Sequence, residues 1–149
     1  MYSLALYLHS YTRWLVLVVM LWALYRAWAG WLRRREWTVW DDRAGIAFAG
    51  AISLQFVFGV LLYFQPVGIA QAAMRDMGAA MQVRELRFFG LEHPLQMMIA
   101  IGIVHMGRAR SRKAEGDRAK FRWAIICYTL ATLLILAAIP WWRPLLRLS

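Results

Sequence analysis

Cysteine is all but absent. Cys127 stands alone, so no intrachain disulfide can form, and cysteine usage says nothing about redox compartment. Histidine occurs only three times, which restricts any imidazole-based site to very few pairings. Period-two alternation is missing from the apolar segments, which argues against membrane barrel strands. Acidic residues are scarce as well, eight against eighteen lysines and arginines, leaving a formal charge of +10. Such an excess can suit nucleic acid, but here the basic residues sit in turns between apolar blocks, and no nucleic-acid partner is expected.

What is abundant is apolar material: 62% of the 149 residues, gathered into long blocks. The blocks run from about Leu4 to Trp31, Ala44 to Phe64, Phe88 to Met106 and Trp123 to Ile139. A bilayer core about 30 Å thick takes about 20 apolar residues per helical crossing, so each block is long enough to span. Only helices satisfy their backbone polar groups internally over such lengths in lipid. The expectation is an all-α integral membrane protein of one domain, residues 1–149, folded as a four-helix up-down-up-down bundle. The first block is too long for a signal sequence, contains His9 and Arg13, and lacks a small-residue cleavage site, so it is expected to remain as a helix.

The basic residues orient the bundle. Arg33, Arg34, Arg35 and Arg43 follow the first block, and Arg108, Arg110, Arg112, Lys113, Arg118, Lys120 and Arg122 follow the third. The other side holds Arg75, Arg84, Arg87, Arg143 and Arg147. By the positive-inside rule both termini and the middle connection lie outside. Anionic lipid headgroups account for the inner charge. Trp28, Trp31, Trp37, Trp40 and Trp123 fall at the inner edge, and Trp141 and Trp142 at the outer, as interface anchors. Between spans two and three, Met74, Met77 and Met81 repeat at helical spacing within 69–83, which predicts one short helix on the outer surface. With no Cys or His nearby in sequence, the methionines read as packing rather than a copper(I) site.

Ionisable residues at membrane depth are functional candidates by default. Span one carries His9 and Arg13; span three carries Glu92 and His93, with Gln96 and His105 beyond; span two has Ser53 and Gln55. His9 and His93 each lie about five residues inside their spans, about 7 Å below the outer end at 1.5 Å per residue. Spans one and three run parallel on a diagonal of such a bundle, so inward side chains at equal depth face one another. Two imidazoles on opposite faces of a haem need that arrangement. Arg13, four residues after His9, is placed to neutralise a haem propionate, and Glu92 to orient an imidazole or pair with Arg13. A purely structural role is open too, with the histidines bonded to neighbouring helices and Arg13 with Glu92 as a buried ion pair. His105 lies about 18 Å deeper than His93 and 120° round the helix, where it reads as interfacial, or as one half of a second site with Met20. Three histidines allow at most one bis-histidine haem.

The chain resembles small four-helix bacterial membrane proteins labelled cytochrome b, and is similar in layout to cytochrome b561 and copper-resistance D-type membrane domains. The resemblance rests on Leu8-His9-Ser10-Tyr11-Thr12-Arg13-Trp14, Arg87-Phe88-Phe89-Gly90-Leu91-Glu92-His93-Pro94, Gly107-Arg108-Ala109-Arg110-Ser111-Arg112 and Ile139-Pro140-Trp141, and covers essentially the whole chain. It implies electron transfer by b-type haem in a bacterial cytoplasmic membrane, with His9 and His93 in the ligand positions. The expected partners are the lipid bilayer and either a quinone or the redox subunits of a larger complex, and an oligomer is open. The competing expectation is a cofactor-free membrane subunit or assembly factor. Copper or small-solute transport is disfavoured by a fourth span without a polar path.

Overall fold

The computed structural model describes residues 2–143, so Arg147 lies outside the described residues. The elements are α1 (Tyr2–Leu32), α2 (Val39–Tyr63), α3 (Ile69–Arg75), α4 (Met77–Gln82), α5 (Arg84–Arg87), a π-helical turn (Phe88–Glu92), α6 (His93–Lys113) and α7 (Asp117–Ala138). No strand occurs among the described residues. By length and composition α1, α2 and α7 are long and apolar enough to cross a membrane. Helices α1 and α6 each pack against both α2 and α7.

The third block departs from a plain apolar helix at both ends. Its first five residues form the π-helical turn, and α6 continues past Met106 through Arg108, Arg110, Arg112 and Lys113. Arginine and lysine are good helix formers, so charge alone does not stop the ladder. It ends where Ala114 turns extended and Gly116 takes a φ of +79°. The single outer helix expected over 69–83 is in fact two. Asp76, at φ −145° and ψ 86°, breaks it and caps α4 instead, its Oδ1 accepting from the Ala79 N–H at 2.9 Å. Aspartate competes for backbone donors in this way, which makes it a better cap than a mid-helix residue. The fully buried residues of this pair are alanines (Ala70, Ala73 and Ala80), with Met77 and Met81 partly buried and Met74 exposed, its Sδ accepting from the Tyr63 hydroxyl at 3.3 Å.

Small residues bring the long helices together. Ala23, Ala27, Ala44, Ala100, Ala124 and Ala131 are buried around Phe48 and Met20. A methyl group at Gly107 would stand 2.4 Å from Cys127 Cβ, and one at Gly30 would stand 2.1 Å from the Phe121 ring. These approaches are the small-residue contacts by which membrane helices gain dispersion contact without a hydrophobic drive. Cys127, 1% exposed, is a packing residue on that seam, as its place in the fourth block suggested.

The turn from α1 to α2 is closed by hydrogen bonds. Arg34 N–H bonds to Trp31 O at 3.3 Å and Arg35 N–H to Gly30 O at 3.2 Å, a Schellman cap with Arg34 at φ +52°. The chain then reverses onto Asp41, 4% exposed. Its carboxylate accepts from Arg26 Nε (2.9 Å), from Arg35 (2.6 and 2.7 Å), and from the Thr38 N–H (2.8 Å) and hydroxyl (2.9 Å). The same carboxylate holds the Arg35 guanidinium above its ordinary pKa. Sequence reasoning passed over Asp41; the signal was Thr38-x-x-Asp41 heading an apolar block, a capping pattern.

Candidate functional site

At the other end, α1 and α6 carry His9 and His93 to one point. Their ring centroids are 6.2 Å apart, with the planes at 77°. Imidazole nitrogens roughly 2 Å from a shared metal, one on each side, put the ring centroids roughly 6 Å apart, so the spacing suits a single ion between them.

His93 is fixed from three directions. Its Nδ1 lies 2.8 Å from Ala138 O, the last carbonyl of α7. A carbonyl only accepts, so Nδ1 carries the proton and Nε2 keeps its lone pair, the form in which histidine ligates metals. Phe88 and Phe89 flank the ring at 5.7 and 6.3 Å. The π-helical turn leads directly into His93-Pro94, and Tyr63 donates to Gly90 O within that turn at 2.9 Å. Gly90 also permits the approach of α3, since a Cβ there would meet Ala73 Cβ at 2.6 Å. Such π turns insert a residue and recur at functional sites.

His9 is held by α2. Gln55 donates to His9 O at 2.9 Å, and its amide nitrogen lies 3.4 Å from His9 Nε2. The Gln55 carbonyl accepts from the Thr12 hydroxyl, which also donates to Leu8 O. His9 Nδ1 is buried and has no hydrogen-bond partner, and Gln96 Oε1 in α6 is likewise buried and unsatisfied. A built Cβ on Gly59 would come within 3.3 Å of His9 Cε1, so glycine there leaves the ring its room. Gln55 and Gly59 are the residues sequence reasoning did not assign. Only a helix pairing, not a spacing within one segment, brings them to His9.

Both histidines, with Arg13, Gln55, Phe89 and Arg143, line one cavity of about 460 Å³. That lies in the ordinary range for cofactor pockets. Arg13 follows His9 by one turn on the cavity side. Arg143 sits at the α7 end, 3.1 Å from Glu85 and 4.6 Å over the Phe89 ring. Glu92 takes Arg87 at 2.7 Å, both side chains 40% exposed. His105 faces outward, its Nε2 2.9 Å from Ser53 Oγ, whereas Met20 is 1% exposed in the core; the structure does not bring these two together. Among the described residues there is no cluster of three or more His, Cys, Asp or Glu that can hold a metal, so an ion here rests on the histidine pair alone.

Compared with known proteins, the chain matches no family model, no curated protein and no solved structure.

Proposed function

We propose that this chain is a membrane b-type cytochrome: four crossings in an up-down-up-down bundle, both termini outside, and one haem held between His9 and His93 near the outer face. The observation that carries the reading is the pair of imidazoles 6.2 Å apart, with His93 Nδ1 committed to Ala138 O and His9 Nδ1 buried without a partner. Buried polar atoms are normally paired, and an orphan on a residue that lines a cavity invites a ligand. The fourth crossing is α6, whose apolar stretch from Pro94 to Gly107 is extended by the π-helical turn before it.

When bound, the haem supplies a reversible one-electron couple. The chain's own residues do the rest. Ala138 and Gln55 orient the rings, and Phe88 and Phe89 keep water from His93. Arg13 and Arg143 place positive charge on the cavity wall, where a carboxylate is stabilised by charge-assisted hydrogen bonds. The electron is exchanged at the outer side with a quinol or with a redox subunit.

Purification from haem-replete cells in mild detergent, followed by a dithionite-reduced minus oxidised spectrum, tests the reading. A sharp alpha band of a six-coordinate b haem is expected, and it disappears in His9→Ala and in His93→Ala. A protein without the band is a cofactor-free subunit, in which the Gln55, Thr12 and His9 contacts serve only to latch α2 to α1.

A further inference from the structure

On the inner side a cleft opens between the last turn of α1 and the first turn of α7, lined by Arg34, Arg35, Glu36, Asp117, Arg118 and Phe121. Two of these cations are already engaged. Arg35 serves Asp41, while Arg118 donates to Trp31 O at 2.7 Å and stacks 3.5 Å over the Trp31 ring. Arg34, Glu36 and Asp117 are different: among the described residues none of the three makes an ion pair. Opposite charges therefore line one cleft without closing on each other.

The backbone adds an independent observation. Arg34 occupies the left-handed position of the Schellman cap at φ +52°, and it is the one non-glycine residue with positive φ among the described residues. Glycine is the usual occupant there because a side chain strains that conformation. Arg34 also has no side-chain hydrogen bond to another described residue that offsets the strain. Strained positions of this kind persist where the side chain has a use.

We propose that the cleft binds a headgroup bearing both a phosphodiester and a primary ammonium, the phosphoethanolamine of a lipid in the adjoining leaflet. Arg34 and the remaining donors of Arg118 take the phosphodiester. Glu36 and Asp117 take the ammonium. A single-sign ligand would leave half of the cleft's charge unmet, whereas this headgroup answers both. The cleft lies at the tryptophan-rich edge, and Trp28 and Leu32, 40% and 71% exposed on the end of α1, offer apolar surface for acyl chains. The proposal rests on the membrane-crossing part of the reading above and is independent of the haem, so a missing alpha band leaves it standing.

The test is a titration of the full chain in detergent with short-chain phosphatidylethanolamine, phosphatidylglycerol and soluble glycerophosphoethanolamine, bound ligand being counted by native mass spectrometry. Phosphatidylethanolamine is expected to bind roughly tenfold tighter than phosphatidylglycerol, which lacks the ammonium. Arg34→Gly should weaken it by roughly tenfold while leaving Tm unchanged or raised, because glycine relaxes the cap. Glu36→Gln should erase the preference between the two lipids. Equal binding of both lipids to the unmodified chain, or undiminished binding by Arg34→Gly, would overturn the proposal. So would soluble glycerophosphoethanolamine binding as tightly as the lipid, which assigns the cleft to a free phosphodiester.

Discussion

Asp41 and His9 treat their polar atoms in opposite ways. At the α1–α2 turn the Asp41 carboxylate accepts from two arginines, a hydroxyl and a backbone N–H. At the His9–His93 end, His9 Nδ1 is buried with nothing to bond, on a residue that lines a cavity of about 460 Å³. Unsatisfied buried groups are costly, and the cost is tolerated where a ligand or a movement uses them. The contrast separates a carboxylate that ties the α1–α2 turn from a histidine-lined cavity with an unpaired polar atom.

Substitutions at the two places should therefore fail in different ways. Asp41→Ala strands Arg26 and Arg35 at the α1 to α2 turn and should destabilise the fold by about 3 kcal/mol, read by thermal unfolding in detergent. Its alpha band, if haem is bound, should keep its position, because the histidine-lined cavity is untouched. Gly107→Val drives a side chain into Cys127 and should cost about 2 kcal/mol by the same measurement, separating α6 from α7. Gln55→Leu removes the bond to His9 O at a cost of about 1 kcal/mol and, if haem is bound, should speed its loss on dilution into detergent, which Asp41→Ala and Gly107→Val should not. Unchanged haem retention in that variant would detach Gln55 from the orientation of His9. Gly50→Ala is the control, since a methyl there meets nothing within 4 Å; a change within about 0.5 kcal/mol is expected.

Much of the long-helix layout is legible in the sequence, because apolar length and caps act locally. The first block read as Leu4 to Trp31 and folds as Tyr2–Leu32. The juxtaposition of His9 with His93 was legible too, since depth in a helix is a matter of counting residues. Three features were not. Asp76 falls inside the single helix expected over 69–83, and only its φ and ψ show that it ends one helix and caps the next. The π-helical turn ahead of His93 depends on Tyr63 and Ala73 meeting Gly90, contacts between elements that no periodicity encodes. Glu92 stood within reach of either Arg13 or an imidazole by spacing, yet bonds to Arg87 five residues before it.

The bond between His93 and Ala138 has a further consequence. Ala138 is the final residue of α7, so its carbonyl belongs to the group that a helix leaves without an internal acceptor role. The imidazole that satisfies it belongs to another helix. Ile139, extended at φ −76° and ψ 128° ahead of Pro140, stops α7 and leaves the Ala138 carbonyl free to fix the His93 tautomer. Adding a turn to α7 would consume that carbonyl within its own ladder and release the imidazole to rotate. The length of the last helix is in this sense an electronic setting of the histidine, written in the backbone rather than in any side chain.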